Sequence, residues 1–185
     1  MKLNTPDSHS LKGALILADP TLRDENFSRT VVLMTEHQPG LGAHGYIFNR
    51  PLERKVGEVL VSEEFSSLRE VPIFLGGPVG REHLTFAAFA WVEDQTGLHC
   101  STHLSVEQAI ERHAAGQLVR AFLGYAGWGE GQLEQELEGK SWIARPPSAE
   151  LLLRAPDEAL WEHLLRSMGP WGKLVAGLPE NPSLN

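Results

Sequence analysis

The 185-residue sequence contains only one cysteine, Cys100. A single thiol cannot form an internal disulfide, which excludes the disulfide-stapled class of small secreted domains and fits a reducing cytoplasm. The sequence also lacks any apolar run approaching the roughly 20 residues that a membrane-spanning helix needs. Residues 1–12 are polar and lack the apolar centre of a secretory signal, so we expect a mobile leader there. The sequence therefore predicts a cytoplasmic protein with no membrane association.

An excess of basic residues is also missing. Lys and Arg together number 16 against 24 Asp and Glu, which gives a formal net charge of −8. Nonspecific binding to nucleic acids depends on Lys and Arg neutralising phosphates. Arg54 and Lys55 are adjacent, but Glu53 precedes them. Direct binding to nucleic acid is therefore disfavoured.

Familiar catalytic and metal-binding motifs are absent as well. The sequence has no Gly-x-Ser-x-Gly elbow, no His-Glu-x-x-His and no phosphate-binding loop with its Lys-Ser/Thr. The segment from His99 through Cys100 to His103 has metal-binding residue types, but zinc usually needs four ligands, and on a strand Cys100 would point away from both histidines. We expect no metal and no cofactor. The 8 histidines leave a dispersed Ser/His/Asp arrangement open, although no residue marks one.

The residues that are present describe one globular domain, with 42% hydrophobic and 22% charged residues. Short apolar or alternating runs predict strands at 13–18, 31–34, 43–49, 71–75, 83–92, 98–103, 118–125, 142–143 and 151–153. Helical spacing and capping signals predict helices at 56–60, 106–115, 131–137 and 156–168. We expect an irregular segment at 62–70, a hairpin joining 71–75 to 83–92, and a tail at 170–185. Strands grouped in this way, with few helices between them, predict the α+β class.

The most distinctive stretch spans residues 120–137. It begins as an apolar strand, continues through four glycines and ends in helix-forming residues, the glycines being Gly124, Gly127, Gly129 and Gly131. Glycines at this spacing indicate positive φ or close backbone approach. We expect a tight strand-to-helix connection in which Tyr125 and Trp128 pack together as a small aromatic core.

Residues 122–134 resemble the signature of the YqgE/AlgH family of bacterial proteins. Segments 22–33, 45–51 and 74–79 resemble three further family motifs, in the family's order. The resemblance implies a single domain whose mixed, mostly antiparallel sheet curls into a partly closed, bifurcated pseudo-barrel with flanking helices. The family is commonly labelled as transcriptional regulators, which implies a regulatory role. Glu130 departs from the pattern, because a proline is common at that position.

Candidate binding residues come from these motif segments. They are Asp24, Arg29, Asn49, Arg50, Gly76, Gly77, Tyr125, Trp128, Gln132 and Glu134. The signature glycines could cradle an anion at a helix N-terminus, but Glu130 and Glu134 would repel it, which favours a purely structural turn. An Arg–carboxylate network among the others could form a small-molecule or peptide pocket, or could only fix the loops. Glu36, His37 and His44 flank a glycine loop that we interpret as solvated.

Three functions remain open at this stage. The favoured hypothesis is a noncatalytic binding or regulatory domain that acts through a protein partner or a small-molecule effector, with the motif loops as its recognition surface. The second is a hydrolase-like enzyme or nucleotide binder that uses Arg29, Asn49, Arg50 and Glu134. The third is a direct DNA-binding regulator, although the helix at 106–115 is followed by a strand and so does not begin a helix-turn-helix.

Overall fold

The computed structural model describes residues 10–92, 97–149, 157 and 159–177. Within them, nine strands form one sheet. The strands are β1 Leu15–Ala18, β2 Val31–Gln38, β3 Gly42–Ile47, β4 Pro51–Lys55, β5 Pro72–Leu75, β6 Val79–Val92, β7 Gly97–Leu104, β8 Leu118–Trp128 and β9 Trp142–Arg145. The helices are α1 Val56–Val59, α2 Val106–Ala114, α3 Gln132–Glu138, α4 Ala159–Arg166 and α5 Pro170–Ala176, with a 3-10 helix at Glu63–Leu68.

Strand β8 is the branch point of the sheet. The main path runs β4-β5-β8-β3-β2-β1-β9, and β6 adds to β8 and carries β7. Only the β5–β8 pairing is parallel among the described strands. The first part of β8 pairs with β5 and β6, and its last residues pair with β3. The sheet therefore bifurcates and curls into a half-barrel, which confirms the α+β, mostly antiparallel fold.

Both faces of the sheet are covered, which explains why the central strands read as unbroken apolar runs. Successive side chains alternate between faces, so Leu15 and Leu17 join one cluster while Ile16 joins another. The inner core contains five aromatic side chains from four strands and the residue after β3, together with the apolar face of α4, namely Tyr46, Phe48, Phe74, Phe89, Phe122, Leu160, Trp161 and Leu165. On the opposite face, α3 covers β1, β2 and β3, while α1, the 3-10 helix and α2 cover β5, β6 and β8.

The expected hairpin between 71–75 and 83–92 is wrong. Ala121 of β8 pairs with Ile73 of β5 and also with Phe86 of β6, so β8 lies between the two strands. The connection crosses β8 closely instead of turning back beside β5. A Cβ atom on Gly77 would lie 2.1 Å from the Tyr125 carbonyl carbon. The Gly-Gly pair is therefore needed for a close backbone crossing. In the sequence alone, the same pair indicates a turn.

The strand-to-helix connection is shorter than expected. Strand β8 continues to Trp128, so Gly124 and Gly127 lie inside the strand. Tyr125 and Trp128 are three positions apart on that strand and face opposite sides of the sheet, so they do not pack together. Trp128 does form an aromatic cluster, but with Phe27 and Trp142.

Three other expectations need correction. The predicted tail begins with α5, in which Pro170 occupies the first helical turn, where a missing N–H costs nothing. Strand β4 was not predicted, because its charged side chains are exposed at the edge of the sheet. The segment predicted to be irregular contains the 3-10 helix.

Several predicted elements are confirmed. Ser105 and Gln108 form the expected capping box of α2. Helix α4 lies inside the segment predicted as 156–168, whereas the strand predicted at 151–153 falls outside the described residues. The end of the expected leader is anchored, because Ser10 Oγ donates a hydrogen bond to the His37 carbonyl at 2.8 Å. No helix in the described part of the chain is long and apolar enough to cross a membrane.

Candidate functional site

Asn49 fastens the end of β3 to the start of β2. It is 1% exposed, its Oδ1 accepts the Val31 N–H at 2.8 Å, and its Nδ2 donates to the Arg29 carbonyl at 3.0 Å. Arg50 adds a hydrogen bond to the Ser28 carbonyl at 2.9 Å. Arg29 has a positive φ of 55°, and its guanidinium carbon lies 5.3 Å from the centroid of the Trp161 ring. These three motif residues therefore hold the loop before β2.

Asp24 orders the same loop from within. Its Oδ1 accepts the backbone N–H groups of Asn26 at 2.8 Å and Phe27 at 3.1 Å. Asn26 Oδ1 in turn accepts a 2.7 Å hydrogen bond from Arg81 of β6. The first motif is thereby linked to the strand that follows the Gly-Gly-Pro motif.

Glu134 binds the turn between β2 and β3, not the arginines. Its Oε1 accepts the Gly40 N–H at 2.9 Å and lies 3.1 Å from His37 Nε2. Because His37 Nδ1 accepts the Leu11 N–H, Nε2 carries the ring proton and donates it to Glu134. The Gly40 N–H holds the pKa of the Glu134 carboxyl below its usual value, with burial opposing. Glu134 and Asn49 therefore share no hydrogen-bond partner, and the structure does not unite them in one polar pocket.

In the connection between β8 and α3, polar groups form hydrogen bonds with one another and with nearby side chains. Gln132 Oε1 accepts the Gly129 N–H at 3.0 Å, and its Nε2 donates to Glu136. Glu136 Oε2 also accepts both buried indole N–H groups, from Trp128 at 2.8 Å and Trp142 at 2.7 Å. Sequence reasoning missed Glu136, because nothing in the sequence announces that two tryptophans converge on one carboxylate.

Tyr125 belongs to a different group, which we call the His44 cluster: Thr35, His44, Tyr125 and His103. The Tyr125 ring stacks on His44 with centroids 4.5 Å apart. Gly127 makes room for it, since a Cβ atom there would lie 3.0 Å from the Tyr125 ring. Thr35 Oγ1 lies 2.7 Å from His44 Nδ1, and the His103 ring lies 5.7 Å from the His44 ring. The glycine loop interpreted as solvated therefore leads into a packed cluster.

The surroundings of His44 shift the pKa of its imidazole. Burial lowers its pKa below the usual value, His103 lowers it further, and Glu36 raises it in part. The imidazole is therefore neutral at neutral pH. A cavity of about 290 Å³ opens beside it, lined by Glu36, Gln38, Leu41, Gly42, Ala43 and His44.

Cys100 and the histidines around it do not form a metal centre in the structure. The described residues include no group of three or more His, Cys, Asp or Glu side chains that could hold a metal ion. Burial raises the pKa of the Cys100 thiol to about 12. The thiol is therefore protonated and packs against the inner core as a small apolar side chain.

An apolar concavity lies on the outer face of the sheet, next to α1. We call it the outer groove; its volume is about 510 Å³ and it is lined by Leu52, Arg54, Val59, Leu60, Ile73, Glu82, Leu84 and Leu123. Leu52 is 36% exposed and Val59 is 51% exposed, although both are apolar. A second cavity of about 350 Å³ begins on the other side of Leu60. Apolar side chains in such an arrangement indicate a binding surface.

The groove exists because the helical cover of the sheet ends at α1. Val56, Leu68 and Ala109 bury one half of this face, and the half around Leu84 and Leu123 stays open. Three motif segments border it. Leu52 follows the Asn-Arg-Pro segment, Leu84 lies in the strand after Gly-Gly-Pro, and Leu123 lies in the signature. None of these leucines was among the residues predicted from sequence.

Comparisons with known proteins agree with the motifs. The AlgH-like family model matches residues 15–172. A UPF0301 protein of Chlorobium limicola is 36% identical over 188 residues, which cover 94% of this chain and 95% of that protein. A UPF0301 protein of Thermobifida fusca is 34% identical over 194 residues and covers 97% and 98%.

Two solved structures are similar to this fold. The solution structure of AlgH from Pseudomonas aeruginosa has a TM-score of 0.65 and 29% identity, covering 97% of this chain and 98% of that one. The crystal structure of a protein from Corynebacterium diphtheriae has a TM-score of 0.68 over 96% of this chain and 95% of that one. At 19% identity, the second likeness concerns the fold alone.

Proposed function

The chain belongs to the AlgH-like family, and we propose that it is a noncatalytic binding domain that holds a small apolar molecule in the outer groove. The groove itself is the observation that carries the proposal. Its volume of about 510 Å³ falls within the usual range for small-molecule sites. Six of its eight lining residues are apolar, which favours a ligand with a large apolar body.

The charges at the groove favour a ligand without net charge. Arg54 and Glu82 carry opposite signs, and Arg54 Nε already donates to Glu58 at 2.9 Å. The formal charges of the lining residues therefore sum to zero. Hydrogen bonds to Arg54 or Glu82 could still orient a polar end group, while the apolar part lies on Leu84 and Leu123.

We propose a noncatalytic role because the residues that line the groove present no catalytic pair of groups to a bound molecule. Among its lining residues, the only titratable groups are Arg54 and Glu82, with no nucleophile beside a base. The polar motif residues, such as Asn49 and Glu134, are instead engaged in fastening loops. We place the protein in the cytoplasm, consistent with its single unoxidised thiol. A regulatory role would follow from ligand occupancy changing the exposed apolar surface.

The proposal is tested by titrating the protein with N-phenyl-1-naphthylamine, an uncharged apolar probe that fluoresces when it leaves water. We expect saturable binding of one probe per chain. Leu52→Glu and Val59→Glu each place a charge in the groove, where it must lose solvation when the probe binds. Each should weaken the probe's affinity by about tenfold or more, which corresponds to about 1.4 kcal/mol.

Leu41→Glu is the matched control, because Leu41 is 69% exposed and lies on the β2–β3 turn, outside the groove. Its affinity for the probe should equal that of the wild type. Near-ultraviolet circular dichroism verifies that each variant keeps its tertiary packing. Absence of saturable binding, or equal weakening by Leu41→Glu, would refute a small-molecule site in the groove.

A further inference from the structure

The contact between His44 and His103 joins two strands that are not neighbours in the sheet. His44 lies on β3, which pairs with β2 and β8, whereas His103 lies on β7, whose one ladder partner among the described strands is β6. The two imidazole rings lie 5.7 Å apart. This contact therefore ties the free edge of the half-barrel to the opposite branch of the sheet.

The β7 end of this contact is held in an unfavourable backbone conformation. His103 has a φ of 54°, in the left-handed region that residues other than glycine rarely adopt. The β6–β7 ladder also shifts register between Phe86 and Ala88, close to the residues that face His103. The end of β7 is thus less firmly fixed by its own ladder.

The surroundings of His44 favour a neutral ring. The phenol rings of Tyr46 and Tyr125 pack against it from β3 and β8, and Thr35 of β2 hydrogen-bonds to Nδ1. The charged or titratable neighbours that act on it are His103 from β7 and Glu36 from β2. Burial and His103 oppose a positive charge on His44, and Glu36 offsets only part of that effect.

We propose that the His44–His103 contact is a proton-sensitive latch that holds β7 against β3 at neutral pH and releases it in acid. While His44 is neutral, the two rings pack together. When His44 takes up a proton from solvent, its positive charge lies in a partly buried site with the His103 ring 5.7 Å away, where the charge is poorly hydrated. Separation of β7 from β3 lets the His44 imidazolium become hydrated.

The direction of the pH dependence follows from linkage. The closed state lowers the pKa of His44 below its usual value of about 6.5, so the open state binds more protons below that pH. Opening is therefore favoured as the pH falls through about 6.5 and continues to grow until His44 protonates in the closed state as well. Above that range the latch stays closed.

Cys100 supplies a built-in probe of the opening. It is the one cysteine of the chain, it lies on β7 three positions before His103, and it packs against the inner core. The disulfide reagent 4,4′-dithiodipyridine labels thiols in acid as well as at neutral pH. The measurement is the labelling rate of the folded protein between about pH 7.5 and about pH 5, divided by that of the urea-unfolded protein at each pH.

We expect this ratio to rise on acidification, by up to about tenfold for each unit by which the closed state lowers the pKa of His44. An ordinary thiol becomes less reactive in acid, so a rise identifies opening. His103→Gln, at an exposed position, removes the contribution of His103 to the lowered pKa of His44 but leaves the larger effect of burial, so it should give a smaller rise than the wild type. His99→Gln, an exposed histidine on the same strand, should keep the wild-type rise.

A flat ratio in the wild type would overturn the latch, and so would a rise of undiminished size in His103→Gln. Equal loss of the rise in His103→Gln and His99→Gln would also overturn it, because the effect would then be a general response of β7 to charge. Far-ultraviolet circular dichroism at each pH verifies that labelling reports local opening of a folded protein.

Discussion

Glu136 illustrates how a polar residue near the signature acts in this protein. Its carboxylate accepts hydrogen bonds from the indoles of Trp128 and Trp142, which are only 6% and 5% exposed. Phe27 packs against both rings, with centroid distances of 6.2 and 5.5 Å. One acceptor thus satisfies two buried donors that water cannot reach easily, and it fixes α3 against the sheet.

Glu136→Ala should therefore destabilise the protein strongly. It leaves two indole N–H groups without an acceptor, and each unsatisfied buried donor costs about 1–3 kcal/mol. We expect the free energy of unfolding to fall by about 2–4 kcal/mol, measured by urea denaturation with circular dichroism. Glu138→Ala, an exposed position on the same helix, should change it by less than about 0.5 kcal/mol. Similar losses in the two variants would show that the carboxylate does not hold the indoles.

The residue types in the motifs indicated side chains capable of hydrogen bonding, but not the partners that they have in the fold. Asn49 and Glu134 were selected as members of one Arg–carboxylate network. In the structure, Asn49 accepts a hydrogen bond from the Val31 N–H, and Glu134 accepts one from the Gly40 N–H. Glu134 and Gly40 are 94 positions apart, so their contact depends on the completed sheet. Local sequence carries no information about such a pairing.

At the scale of the elements, the crossing of the Gly-Gly-Pro segment over β8 determines the branch in the sheet. Gly124 has a φ of 67°, and a Cβ atom there would lie 2.7 Å from the carbonyl oxygens of Gly77 and Val79. The Val79 oxygen cannot move without disturbing the ladder between β6 and β8. Glycine is therefore required at this point for space as well as for its backbone conformation.

The two requirements can be separated with Gly124→Ala and Gly116→Ala. Gly116 has a similar φ of 77°, but nothing lies within 4 Å of a Cβ atom placed there. Gly116→Ala should therefore cost only the left-handed strain, about 1 kcal/mol. Gly124→Ala adds a steric clash and should cost about 1–3 kcal/mol more, measured from urea denaturation midpoints. Equal costs would contradict the close crossing.

The elements that sequence predicted well are those buried on both faces or marked by capping residues. Strand β1 is buried at every position, which gives the continuous apolar run that reveals it. Helix α2 carries its own capping box. Strand β4 was missed because only its pairing with β5 makes it a strand. The predicted β5–β6 hairpin was wrong because a backbone crossing and a turn require the same glycines.

For the whole molecule, the outer groove is a product of topology. Its walls come from β4, α1, β5, β6 and β8. These elements meet because β8 lies between β5 and β6 in the sheet. The motif segments contribute by shaping these elements, and Leu52, Leu84 and Leu123 line the result. Sequence reasoning looked for a binding surface among the polar residues of the motif segments, whereas the proposed groove is lined mainly by apolar residues that lie in or beside those segments. The apolar lining could not be predicted without the strand order.

The most direct test of the groove as the binding site is a nuclear magnetic resonance titration of methyl-labelled protein with N-phenyl-1-naphthylamine. The methyl groups of Leu52, Val59, Leu84 and Leu123 should shift progressively to saturation, because ring currents act only over short distances. The methyl groups of Leu41 and Leu174, which are exposed elsewhere on the chain, should stay in place. Shifts concentrated outside the groove, or no shifts at saturating probe, would contradict the account.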